Sequence, residues 1–207
     1  MKSILPIALI ALSVSAAQAN LFNQATDQLK QSADQSLSEA QDDVTDAAAG
    51  TLSESTAEAG AKVAQAAEMQ SMVAKAVDTS KQLESMLSGN PELQSLLTNS
   101  MTSLAQGQDL IALQDLNKLS AAKLTPDQTG LLRGLRSDVE VLALQRNLPA
   151  SGPVTAATNA IKSGDVTTAT TQLNNVLKGG QLNDPQKDLV QTVLQGFGGS
   201  KPVVPTQ

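Results

Sequence analysis

Phe22, Ala25, Leu29, Ala33, Leu37, Ala40, Val44 and Ala47 recur at steps of three and four, separated mostly by Gln, Ser, Asp and Thr. That spacing puts them on one face of a helix and predicts an amphipathic α-helical segment. Gly50 and Gly60 interrupt the pattern. Val63, Ala66, Met69, Val73, Val77, Leu83 and Leu87 then resume a single face, with Ser80 in the gap. Ala in such a coiled-coil-like seam lets helices approach closely but removes little apolar area from water. These helices are expected to be marginal alone, and the stretch from Asn20 to Gly60 to be mobile.

Beyond Asn90 the apolar positions are larger and the punctuation firmer. Asn90-Pro91-Glu92 reads as a helix start: Asn as N-cap, Pro in the first helical position, an acid in the first turn. Leu93, Leu96, Leu97, Met101 and Leu104 form its stripe, and Gly107 ends it. Asp109 is read as the cap of the next helix, whose inward face is Leu110, Leu113, Leu116 and Leu119. In Leu124-Thr125-Pro126-Asp127-Gln128, Thr125 is a cap and Gln128 the return partner of a capping box. Leu131, Leu135, Val139 and Leu142 follow on one face, with Arg133, Arg136 and Glu140 off it. Pro149 to Pro153 closes the unit.

The same order then returns. Val154 to Lys162 is a short helix, and Ser163-Gly164-Asp165 a turn and cap. Val166, Ala169, Leu173, Val176 and Leu177 make a stripe that Gly179-Gly180 stops. Leu182 to Gln186 starts a last helix bearing Leu189, Val190, Val193, Leu194 and Phe197, with Asp184 read as the counterpart of Thr125. Leu124 pairs with Leu182, Gln128 with Gln186 and Leu131 with Leu189 at a constant offset of 58 residues. The pattern predicts a tandem duplication of a three-helix unit. The 34-residue period and aromatic positions of tetratricopeptide repeats are absent. The expected fold is all-α, a helical bundle or short α-α superhelix. It divides into a helical region 20–90, units 91–150 and 151–198, and a Gly- and Pro-rich tail 199–207 expected to be disordered.

Composition separates the two halves further. Residues 20–90 hold 14 Leu, Ile, Val, Met or Phe, whereas residues 91–198 hold 31, so the second region has the material for a core. Residues 20–90 carry four Lys against eleven acids, while residues 91–207 carry nine of each sign. All the net negative charge therefore lies at the N-terminal side. No basic stripe and no aromatic platform is present, which excludes nucleic acid as the expected partner.

The chain has no Cys, His, Trp or Tyr and only two Phe. Disulfides, imidazole and thiolate metal sites, and catalysis that turns on His or Cys are excluded. Ser120-Ala-Ala-Lys123 matches the nucleophile signature of penicillin-recognising serine enzymes, and Ser137-Asp138 and Lys162-Ser163-Gly164 echo its partner motifs. The 17 residues from Ser120 to Ser137 leave no room for the helical domain and sheet that those motifs bridge. Glu39, Asp42, Asp43 and Asp46 share a helix face, but a straight face cannot wrap a calcium ion in six or more oxygens. Arg133 and Arg136, with Arg146 further along, are read as ordinary surface charge beside Asp138 and Glu140. No catalytic, cofactor or metal residue is assigned, and a carboxylate hydrolase ranks last among the functions considered.

Residues 1–19 read as an export signal. Lys2 supplies the positive start, Ile4 to Val14 an apolar run, and Ala17-Gln18-Ala19 a small-x-small cleavage site. The run is shorter than the ~20 residues a spanning helix needs. No Cys stands at the cleavage point, which excludes a lipid anchor there. The expected product is a periplasmic or secreted, non-enzymatic helical protein with a protein partner or a structural role in the cell envelope. Self-association through the N-terminal helices is a related expectation. Association with a membrane surface is the alternative, disfavoured because the polar face is acidic where surface-binding helices are basic. Intact-mass measurement of the native protein is expected to place its N-terminus at Asn20. Retention of Met1 to Ala19 would overturn the export reading.

Overall fold

A computed structural model describes residues 20–35, 37, 38, 41 and 54–198. Among these the chain is all-helical, with no strand. The helices are α1 (residues 20–35), α2 (Glu54–Met86), α3 (Pro91–Ala105), α4 (Asp109–Ser120), α5 (Pro126–Asn147), α6 (Gly152–Ser163), α7 (Val166–Lys178) and α8 (Asp184–Gly196). Residues 1–19, the acidic residues Glu39, Asp42, Asp43 and Asp46 and the tail 199–207 lie outside the described residues, as do residues 36, 40, 44, 45 and 47–53 of the stretch expected to be mobile. What is described of that stretch is held. Phe22, Ala25, Leu29 and Ala33 of α1 are buried, and Gln70 of α2 donates to Asp34.

Gly60 does not break the chain, because α2 runs through it as one helix of 33 residues. A lone Gly inside a helix costs about 1 kcal/mol relative to Ala, which a long packed helix absorbs. Val73, Ala76, Val77, Leu83 and Leu87 join one buried cluster with Leu135 and Val139 of α5 and Val190 and Val193 of α8. The acidic region is thus continuous in packing with the apolar one.

Helices α3 and α4 form one antiparallel hairpin and α6 and α7 another, and α5 stands between them, packed on α2, α4, α6 and α8. Asp138 to Leu144 are buried without a break, so at that level α5 is covered all round its circumference. This corrects the expectation of a charged outer face on α5. Asp138 and Glu140 are buried, and Arg136 is half-buried.

The turn chemistry accounts for most helix ends. Asn90 accepts from the Leu93 amide, Ser151 from Val154 and Asp165 from Thr168. Gly107 and Gly164 take the left-handed conformation, at φ 71° and 74°, where α3 and α6 end. That region is nearly free of steric cost for Gly alone. Two readings need correction. Asp109 is not a cap: Gln108 stands there, and buried Asp109 instead accepts from Arg146 (3.3 Å) and Asn147 (2.7 Å), tying the start of α4 to the end of α5. Val166 is exposed, since it begins α7 at the surface ahead of the inward-facing Ala169 and Leu173.

The start of α8 also differs from its expected cap. Asn183, not Asp184, caps α8, and it stands in the same 58-residue register as Thr125. Both form complete capping boxes: Thr125 with Gln128 and Asn183 with Gln186. Each Gln then spends its side-chain amide elsewhere. Gln128 Nε2 donates to Met86 O at 2.8 Å, and Gln186 Nε2 to Asn147 O at 2.7 Å. Met86 and Asn147 are the last residues of α2 and α5, where carbonyls lack intrahelical partners. One Gln side chain therefore closes the start of its own helix and the end of the long helix before it.

Thr125→Ala and Asn183→Ala should each cost about 1 kcal/mol, the usual worth of an N-cap. The losses should add within about 0.5 kcal/mol, since the two sites share no partner. Asp184→Ala should change stability by less than about 0.5 kcal/mol, as expected for an exposed side chain. Urea denaturation of the three variants and the double variant measures this. A loss at Asp184 equal to that at Asn183 would remove the assignment.

Candidate functional site

The stripe of α5 left open between the two hairpins floors a cleft of about 860 Å³. Its walls come from Lys75 of α2, the end of α4, the α6–α7 turn and the end of α8. Along the floor stand Thr129, Gly130, Arg133, Gly134 and Ser137. Neither glycine has a positive φ, and a Cβ added to either would meet nothing within 4 Å. Each costs the helix about 1 kcal/mol relative to Ala. No contact among the described residues accounts for that choice.

At the inner end Arg136 Nε donates to Glu140 Oε1 at 2.7 Å, with side chains 11% and 3% exposed. The spacing i, i+4 brings the pair together on one helix face. Arg136 lies beneath the last turn of α8, so close that a Cβ on Gly196 would fall 0.6 Å from its Nη2. That position also places the cation at the negative end of the α8 dipole. Nη2 itself is buried and has no hydrogen-bond acceptor among the described residues. Burial pushes the Glu140 carboxyl up to about 7, an effect that Arg136 opposes but does not cancel. Asp138, on the side of α5 facing α2, is likewise raised by burial and opposed by Lys75 at 3.0 Å.

The other cations of the cleft differ in how they are held. Lys162 pairs with Glu68, joining α6 to α2. Lys75 keeps a largely exposed side chain while bonded to Asp138. Arg133 is exposed and has no ion pair among the described residues. The cleft thus gathers four cationic side chains and one carboxylate on a chain whose net charge is −6.

No protein-family model matches the chain, and comparisons with curated proteins and with solved structures give no match. The chemistry of the cleft must be read from its own residues.

The structure brings Ser120, Ser137 and Lys162-Ser163-Gly164, far apart in sequence, to this one cleft. They do not compose a nucleophile. Ser120 Oγ donates to Leu116 O at 2.8 Å and Ser137 Oγ to Ile161 O at 3.2 Å, so both hydroxyls serve helix carbonyls. Lys123, the base position of the motif, does not line the cleft. Activation of a hydroxyl needs a base within hydrogen-bond reach, and neither serine is bonded to one here. The arrangement suits the holding of negative charge. Arg136 and Arg133 are legible in sequence as a pair three apart, but only the fold shows that one is sunk under α8 and the other open.

Glu140 makes stability depend on pH in a defined sense. Its folded-state value lies above the usual carboxylate range, so the folded protein binds the extra proton between about pH 4.5 and 7. Stability is fullest below that window and falls as pH rises through it, by on the order of 3 kcal/mol for a shift of this size. Asp138 and Glu84 act in the same direction. The chain has no His to oppose them. Denaturation followed from pH 4.5 to 8 should show this slope in the wild type and a much flatter one in Glu140→Gln. Equal slopes would remove Glu140 as the cause.

Proposed function

We propose that this is an exported, non-catalytic interaction protein, an α-helical scaffold that docks a protein partner in the cleft on α5. The observation that carries the reading is the cleft itself. It is large and half-open, it is floored by two glycines that no contact among the described residues requires, and it is lined by cations without an activated nucleophile. Clefts of this size fall within the range of binding sites. Export rests on the Lys2 to Ala19 pattern. Among the described residues no helix is long and apolar enough to cross a membrane.

A photo-crosslinking amino acid placed at Val166 tests the reading in the cells that make the protein. Val166 is 45% exposed on the cleft wall, and Ile111, 46% exposed on α4, does not line the cleft and serves as the matched control. The expected result is one stoichiometric protein adduct from Val166 and none from Ile111. Equal labelling at both positions, or adducts to lipid alone, would overturn the proposal. Lipid adducts would favour the membrane-surface alternative.

A further inference from the structure

We propose that the occupant of the cleft is an acidic helix of a partner protein, seated with small residues against Gly130 and Gly134 and with carboxylates on Arg133, Lys75 and Lys162. The inference rests on the reading of the cleft as a docking site and names what docks there.

Gly130 and Gly134 stand one turn apart on the cleft floor, where a Cβ would meet only open space. Such a pair exposes backbone on one side of a helix. It is the arrangement that lets a second backbone approach more closely than any side chain would permit. Among the described residues nothing makes that approach, so the glycines weaken α5 without return until another backbone lies on them.

Charge gives the chemistry of the partner. Arg133 sits between the two glycines, exposed and without an ion pair among the described residues. The ammonium groups of Lys75 and Lys162 each have donors beyond the single carboxylate they bind. Arg136, 11% exposed, lines the same cleft and has a buried Nη2 with no acceptor among the described residues. These cations come from three helices that line one cleft, beside the two open glycines, and carboxylates spaced along a helix laid on those glycines can meet them. The acidic surplus of residues 20–90 does not forbid this, because exposed charges more than about 8 Å apart are largely screened at physiological salt.

The probe is a synthetic Ala-rich helical peptide with Glu at every fourth position, with its Lys counterpart as control, titrated against the full chain by fluorescence anisotropy. The Glu peptide should bind, weaken at least tenfold between 50 and 200 mM salt, and lose at least tenfold more with Arg133→Glu. Gly134→Leu should also lose at least tenfold, while Gly134→Ala should raise the melting temperature of the free protein by about 2–4 °C. Those two substitutions separate loss of the groove from loss of the fold. Three results would overturn the proposal: binding of the Lys peptide as tight as that of the Glu peptide; binding unchanged by Arg133→Glu; or concentration-dependent self-association abolished by that substitution, which would make a second copy the occupant. If the Glu peptide fails to bind while the Val166 adduct persists, the cleft remains a docking site and the acidic helix is excluded as its occupant.

Discussion

Burial of α5 on nearly every side is the constraint from which the rest of the architecture follows. Seven consecutive residues, Asp138 to Leu144, are buried, and a helix covered in this way needs neighbours in several directions. Helices α2, α4, α6 and α8 supply them. Two of the seven residues are acids, and burial of a carboxylate is costly unless it is paired or neutral. Asp138 is met by Lys75 and Glu140 by Arg136, one pair toward α2 and the other toward α8. The pillar is therefore apolar in bulk and polar at two fixed points. The first pair requires α2 to be in place, whereas the second forms within α5 itself.

The elements that could be read from the chain alone are those set by local chemistry. Thr125 with Gln128, Asn90 before Pro91, and the Gly164-Asp165 turn involve partners within four residues, and each is found as read. The stripes of α3, α4 and α8 were legible for the same reason, since a period of 3.6 is local. Misreadings came where two local rules competed or where a distant partner decided. Asn183 and Asp184 are both good caps, and register rather than residue preference selects Asn183. Asp109 has the chemistry of a cap, yet Arg146 and Asn147, 37 and 38 residues away, take its carboxylate. A sequence shows Arg136 and Glu140 as an ordinary i, i+4 surface pair. Only the arrival of α8, with no side chain at Gly196, buries them.

The cleft was the least legible part, and the reason is geometric. Its lining comes from α2, the ends of α4 and α8, the α6–α7 turn and one face of α5, so no window of sequence contains it. Gly130 and Gly134 could be noticed as unusual inside a helix, but whether a glycine serves packing or leaves a groove depends on what surrounds it. Here the surroundings are empty. The same topology gathers cations contributed by three different helices onto one face of a chain that is acidic overall.

The two glutamine contacts at helix ends have a consequence of a different kind. Gln128 and Gln186 join α5 to α2 and α8 to α5 through neutral amides and carbonyls, whereas the cleft is lined by charged groups. Neutral hydrogen bonds are nearly indifferent to ionic strength and to titration across the physiological range, while exposed ion pairs are not. These two joints and the surface of the cleft therefore answer to separate variables, while the fold as a whole still responds to pH through buried Glu140. A change of medium alters the charge balance of the cleft without loosening those neutral joints.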